Sequence, residues 1–301
     1  MTTALPSGIV TAIAANTPYA IPLGSYRILS TVALTFCTTE GGVYSALMNG
    51  ESEPGALLTA GGFIKCASTA SVVLKKIGFK KNYPGLVGRS APLSFWRFGE
   101  QSGNTLYDSA AANNLAKGST LVLAAAGPLG DSSFAITLDG TVNGIASLTN
   151  SVDSWFGRTA ISFEAWVNNP AWSASQEQII CLGSAGHYLS VTNAKLIMSI
   201  RTVASQYTNT AVAAMSAAAW HHVAGTWETG DYLRLYVDGV EVTGTDSTVR
   251  TGSLETSPNI YIGSFAAGSL FFSGTIADVA LYLRKLTATE IMQHYGARNL
   301  T

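Results

Sequence analysis

Apolar and polar side chains alternate in short runs along most of the chain, and Gly, Pro, Asn, Asp or Ser bounds each run, which is the pattern of β-strands joined by tight turns. The clearest case is Trp220-His-His-Val-Ala-Gly-Thr-Trp227 followed by Tyr232-Leu-Arg-Leu-Tyr-Val-Asp-Gly239. These read as two antiparallel strands, the second closing on an Asp-Gly turn before Val240-Glu-Val242 returns. In Ile161-Ser-Phe-Glu-Ala-Trp-Val167 the odd positions form one face, which leaves Ser162, Glu164 and Trp166 on the other. One face packs a sandwich; the second lines a concave surface or is covered by another segment. Turn signals recur about every eight to twelve residues from Leu93 to Arg298, as in a β-sandwich. One strong helical signal interrupts them, Leu286-Thr-Ala-Thr-Glu-Ile-Met-Gln-His-Tyr295, with Thr287 as N-cap and Glu290 in capping-box register.

Before residue 80 the alternating runs are Gly8–Ile13, Tyr26–Ser30, Ala33–Cys37, Phe63–Cys66 and Ser71–Ile77. They predict a small module of about five to seven strands, a size at which a lone core is marginal and oligomerisation or docking adds stability. Alternation stops at Lys80-Lys-Asn-Tyr-Pro-Gly-Leu-Val-Gly-Arg-Ser-Ala-Pro92. The expected organisation is therefore a β module at 1–80, a linker at 81–92 and a second domain at 93–301.

Composition narrows the function. Charged residues are 12% of the 301, with a formal net charge of −1 and 47% hydrophobic content. That balance offers no footprint for nucleic acid or an anionic membrane surface, so partners are held by shape, apolar area and hydrogen bonds. No apolar stretch reaches spanning length, and the N-terminal residues lack the basic head of a secretory signal. Cys37, Cys66 and Cys181 are too scattered for a disulfide framework or zinc site and read as small core residues, although Cys37 and Cys66 could meet across one small sheet.

Five stretches carry a family resemblance in order: Phe95-Trp-Arg-Phe98 with Glu100 and Ser102-Gly103, Leu138-Asp-Gly140, the Ile161–Val167 strand, the Trp220 and Val237 strands, and Phe272-Ser-Gly-Thr-Ile-Ala-Asp-Val-Ala-Leu-Tyr282. Over residues 93–298 the chain resembles the laminin-G-like branch of the concanavalin A-like jelly rolls. The resemblance implies an all-β fold: the small N-terminal module, then an antiparallel β-sandwich with one short C-terminal helix. It also implies a display scaffold, since most members bind sugars or proteins without altering them. The glucanase strand signature Glu-x-Asp-x-x-Glu is missing, and glycoside hydrolysis needs two carboxylates at a set separation, so Glu164 is expected to be structural and the protein no enzyme. Relatives often hold a structural calcium; Glu100, Asp108 and Asp278 are the candidate ligands here, but Ala277 stands where a carboxylate is common, so one expected ligand is missing. The alternative reading of these acids is turn-capping and surface charge.

His221 and His222 are adjacent on a strand, point to opposite faces and cannot chelate one ion. His187 and His294 stand isolated, and no nucleophile–base set follows from spacing. For sugar binding the chemistry needs aromatic faces beside planar polar groups. Trp155, Trp172 and Tyr207, in apparent loops, are the candidates, against a reading of all three as loop anchors.

The strings Ile13-Ala-Ala-Asn-Thr-Pro-Tyr-Ala-Ile-Pro22, Ala60-Gly-Gly-Phe-Ile-Lys-Cys66 and Ser71-Val-Val-Leu-Lys-Lys76 resemble β modules that open tailed-phage virion proteins. This second resemblance implies a non-enzymatic virion protein made in the host cytoplasm, a capsid decoration or head-fibre protein. Its first module would bind the major capsid protein or another virion protein and assemble as a homotrimer, and its jelly roll would face host glycans. The alternatives are a tail-fibre or baseplate adhesin, and a polysaccharide-active enzyme or free lectin.

Overall fold

The computed structural model describes residues 83–301 other than 130–132, 150–153, 184–185, 245, 267 and 300–301, and the backbone of the strands between residues 3 and 76. By internal contacts the chain divides into two units, Met1–Lys80 and Lys81–Thr301.

The first unit contains a five-stranded sheet in the order Thr3–Ala4, Tyr19–Ile21, Gly62–Cys66, Leu34–Cys37, Ser45–Met48. Its four-stranded sheet runs Gly8–Ile13, Ala70–Lys76, Tyr26–Ser30, Ala56–Leu58. Nine strands are thus described where alternation predicts five to seven; the four that fall outside the predicted runs, Thr3–Ala4, Tyr19–Ile21, Ser45–Met48 and Ala56–Leu58, are too short to show a period. Cys37 pairs with Phe63 and Cys66 with Leu34, so the two cysteines lie on adjacent strands but are not opposite one another. Their side chains lie outside the described residues.

The second unit is an antiparallel sandwich of two eight-stranded sheets. The first runs Val122–Ala126, Phe134–Asp139, Ser273–Tyr282, Ala160–Asn168, His221–Glu228, Arg234–Val237, Val240–Glu241, with Ser94–Trp96 also paired to Ser273–Tyr282. The second runs Thr105–Leu106, Leu115–Lys117, Ala146–Leu148, Ile260–Ile262, Glu177–Leu182, His187–Thr192, Lys195–Arg201, Gln206–Thr210. As the alternation requires, Ile161, Phe163, Ala165 and Val167 enter the core between the sheets, where Leu189, Val191, Leu196 and Met198 of the second sheet join them. Each large side chain buried this way contributes about 1.5–3 kcal/mol. The meander at Trp220–Val242 forms as read: Asp238 and Gly239 both take positive φ, 53° and 78°, in the two-residue turn.

The outer face of the first sheet is covered. Trp166, Ala224, Ala280 and Tyr282 pack with Tyr83 and Val87 of helix α1 (Tyr83–Arg89) and with Ile291 of helix α2 (Ala288–Gly296). Helix α2 carries the predicted capping box, the Glu290 N–H donating to Thr287 Oγ1 at 3.2 Å and the Thr287 N–H to Glu290 Oε2 at 2.9 Å. Helix α1 corrects the sequence reading of 81–92 as a linker. Two glycines and a proline in seven residues give it little intrinsic helicity. Burial of Tyr83 and Val87 holds it, a tertiary effect that local composition does not report.

Candidate functional site

Two regions of the sandwich concentrate polar chemistry. The first lies beneath the helices. Glu164, on the outer face of its strand, is fully buried and accepts a hydrogen bond from Tyr282 Oη at 2.5 Å through Oε1. Its Oε2 lies 2.9 Å from His294 Nδ1. His222 Nε2 lies 3.4 Å from the same oxygen, near enough for charge attraction but not aligned for a hydrogen bond. Burial by itself would raise the Glu164 pKa; the His294 charge and contact, with His222 behind it, outweigh burial and hold the carboxyl well below the usual range. In turn burial lowers the His294 pKa, and Glu164 more than offsets it, so the net shift is upward.

His294 Nε2 continues the chain to Ser90 Oγ at 3.0 Å, and the Arg284 guanidinium binds the Ser90 carbonyl at 2.8 Å and Glu290 at 2.6 Å. Serine, imidazole and carboxylate stand in the order of a nucleophilic relay. Ser90, however, faces α2 between His294 and Glu290 and is only 7% exposed. What the arrangement does physically is tie α1, α2 and two strands of the sheet together through one ion pair and its hydrogen bonds. Asp278 lies close by, in a bulge of the last strand with φ +47°, its carboxyl pushed up to about 7 by burial and only partly steadied by Arg97, 3.8 Å away.

The second region is the outer face of the other sheet. One cross-strand row, Thr105, Ala116, Ser147, Tyr261, Cys181, Tyr188, Ser199, Thr208, traverses all eight strands without a charged residue. At one end Thr105, Ala116 and Ser147 line a groove of about 280 Å³. Towards the middle, Tyr188 meets Phe265 edge-on at 6.1 Å, and Phe271 packs on the Tyr261–Cys181 cluster. A neighbouring row, Gln178, Ser190, Ile197, Thr210, is also uncharged. Aromatic rings beside hydroxyls and carboxamides are what a sugar surface requires.

A model of the family described as the concanavalin A-like lectin/glucanases superfamily matches residues 139–292. The chain belongs to this superfamily. No curated protein matches it. Among solved structures, the botulinum neurotoxin serotype G binding domain is similar at TM-score 0.53 and 16% identity, over 68% of this chain and 50% of that one. The binding domain of Paraclostridial Mosquitocidal Protein 1 gives 0.53 and 13%, over 67% and 51%. The serotype D ligand binding domain, solved with N-acetylneuraminic acid, gives 0.54 and 13%, over 70% and 52%. At these identities the likeness is one of fold, and the chain spans about half the length of each neighbour.

Within this concanavalin A-like frame the aromatic candidates fare differently. Trp155 is not a platform: it is 0% exposed in the core, while its neighbour Phe156 is 57% exposed. Trp172 is a half-buried anchor, its indole N–H donating to the Ser216 carbonyl at 3.0 Å and its ring edge-on to Phe272. Tyr207 sits on the Gln206–Thr210 strand rather than a loop, packed against the core with the Arg250 guanidinium 4.8 Å from its ring centre.

The three acids do not assemble into a cation site. Asp108 is occupied by the N–H groups of Phe95, Ala110 and Asn113, and Glu100 accepts from the Tyr107 N–H at 2.9 Å. Asp278 is buried with a carboxyl that keeps its proton to near neutrality. Among the described residues no three His, Cys, Asp or Glu side chains gather closely enough to hold a metal ion. Calcium's six to eight oxygens therefore find no fitting donor set in these residues.

Neither isolated histidine is idle. His187 accepts from the Arg201 N–H at 3.1 Å and contacts the Glu255 carbonyl at 3.0 Å. His294 is the partner of Glu164. His221 Nδ1 meets Asp238 Oδ2 at 2.8 Å, on the opposite face from His222. Cys181 is a free, buried thiol whose pKa burial pushes up to about 12. No helix among the described residues is long and apolar enough to cross a membrane.

Proposed function

We propose that this is a non-enzymatic binding protein whose jelly roll holds glycans or other host-surface polymers on the outer face of its second sheet. The observation that carries the proposal is the groove at the end of the second sheet's outer face, lined by Thr105, Ala116 and Ser147; the middle of that face is buried under Phe265 and Phe271, and the middle of the other lies under α1 and α2. Binding in a relative of this fold, the serotype D domain solved with N-acetylneuraminic acid, lends support. The Glu164 cluster fits the same view, since its carboxylate is engaged by His294 and Tyr282 rather than presented to a cleft.

In the fuller reading, the β unit at Met1–Lys80 anchors the protein on a phage particle, through the major capsid protein or another virion protein, as a capsid decoration or head-fibre homotrimer. Many copies then turn a shallow, weak site into useful avidity. The sequence resemblance of the first unit supports this part. The test is a glycan array with the full-length chain, paired with its mass in solution by light scattering. Selective glycan retention by a trimer supports both parts; a monomer that retains glycans leaves a free lectin; a chain that retains none refutes the binding reading.

A further inference from the structure

Helix α1 buries Tyr83 and Val87 against the first sheet, and Pro84 and Gly88, also four apart, share the neighbouring face. That face borders a cavity of about 490 Å³, which Pro92, Phe95, Arg97 and Ser109 also line. A Cβ added at Gly88 would meet nothing within 4 Å, so the open space begins at the helix surface. The Ser109 side of the cavity is held in place by backbone contacts. Asp108 accepts from the N–H groups of Phe95 and Ala110, and the Ser109 N–H donates to the Phe95 carbonyl at 2.8 Å.

Strand register places the one charged group of this lining. Trp96 pairs with Val279 and both enter the core, so Phe95 and Arg97 lie on the outer face, and continuing the register sets Arg97 opposite Asp278. The Arg97 side chain is 45% exposed and has no hydrogen-bond partner among the described residues. Asp278 Oδ1 stands 3.8 Å from its Nε, beyond hydrogen-bond reach. Burial pushes the Asp278 carboxyl up to about 7 against the pull of Arg97, and the Glu164 charge adds to the rise. Tyr83 lies within the same field, and His294 and His222 stand on the far side of Glu164. In weakly acidic solution the guanidinium is therefore a cation without a charged partner, its fork of donors free for a planar acceptor.

We infer that this cavity is a binding site for a small organic carboxylate with an apolar body, the carboxylate held by the Arg97 guanidinium and the Ser109 hydroxyl, the body resting on Pro84, Pro92 and Phe95. The volume falls in the range of small-molecule sites. Guanidinium and carboxylate match in geometry as well as charge. A cationic ligand is repelled by Arg97, and a second anionic group would be left against apolar walls. Ligand and Asp278 compete for one guanidinium, so affinity falls as Asp278 ionises. The cavity shares no residue with the groove at Thr105, Ala116 and Ser147, and the site stands independently of glycan binding there.

Calorimetric titration of the full-length chain with phenylpropionate and its neutral counterpart phenylpropanol tests the site, at about pH 6 and about pH 8, where the acid stays ionised. Thermal midpoints verify folding of each variant. Arg97→Gln is expected to weaken phenylpropionate binding at least about tenfold, the loss of one charge-assisted pair. Gly88→Leu places a side chain in the open space and is expected to abolish binding in a folded protein. The parent is expected to bind several-fold more weakly at the higher pH, and Asp278→Asn to remove that difference. Binding unchanged in both Arg97→Gln and Gly88→Leu overturns the site. Phenylpropanol bound as tightly as the acid overturns the ligand class, and equal parent affinity at both pH values overturns the competition with Asp278. No saturable binding to the folded parent overturns the inference as a whole, and the glycan array reads the other groove separately.

Discussion

Glu164 and His294 stand 130 residues apart in the chain, yet Oε2 of one lies 2.9 Å from Nδ1 of the other. The contact joins the middle of the first sheet to the last turn of α2, and Ser90 carries it on to the end of α1. Three segments that are remote in sequence are thereby fixed to one carboxylate.

Removing that carboxylate strands an imidazolium. Glu164→Leu is expected to cost about 3–5 kcal/mol, the usual penalty for leaving one member of a buried pair unpartnered. A Glu164→Leu/His294→Leu double variant is expected to recover part of the loss. Urea denaturation of the parent, both single variants and the double gives the coupling directly. Additive losses would show that the two groups stabilise the fold independently.

The same groups set the pH dependence. His294 is raised in the fold, so its contribution is complete below its unfolded value near 6.5 and is lost as pH climbs through the folded value. Asp278, raised from 3.8 to about 7, acts in the same direction: stability falls between those values because the folded state holds the proton more tightly. Glu164 is lowered, and Glu290, held by Arg284, is lowered to about 2, so their contributions are present above the unfolded carboxylate values and vanish on acidification. Thermal midpoints are therefore expected to peak at mildly acidic pH and decline towards pH 8. In Asp278→Asn the decline between about pH 4 and pH 7 should become shallower, while the part above neutrality, set by His294, remains.

Asp238 is asked to do two things. It holds the His222 N–H at 3.0 Å and His221 at 2.8 Å, and it takes φ +53° in the turn. Asp238→Asn, tolerant of that φ, is expected to cost under about 1 kcal/mol, and Asp238→Val about 2 kcal/mol or more from the lost hydrogen bonds and the strained backbone. Chemical denaturation separates them; equal losses would place the whole effect in the charge.

Trp155 and Phe156 are neighbours with opposite fates. Trp155→Ala is expected to destabilise by about 3–5 kcal/mol, as a core aromatic does. Phe156→Ala should stay within about 0.5 kcal/mol. Binding assays on the folded Phe156→Ala protein then report on that exposed ring alone.

What the chain disclosed before any coordinates follows its periodicities. Ile161, Phe163, Ala165 and Val167 fall inward as alternation demands, and the Thr287–Glu290 box caps α2, because both signals span only a few residues. Alternation also put Glu164 and Trp166 on one face. It could not reveal that His222 stands opposite Trp166, since cross-strand register is a property of the folded sheet. His294 arrives from a helix whose docking angle no local pattern encodes. Trp155 looked available because its sequence neighbours read as a loop, and loop residues can still point inward. The place of Gln178 on the outer face was hidden for a similar reason: a register slip in its strand exchanges the faces that strict alternation would assign. Helix α1, poor in helix formers, exists only through what Tyr83 and Val87 bury.

That last feature bears on how such a domain could be exchanged between proteins. Tyr83 rests against Phe95, Trp166, His222 and His294, so the portable cassette starts upstream of the first sandwich strand. A recombination joint at residue 93 would graft the strands and leave their roof behind, whereas a crossover before Tyr83 would transfer both together.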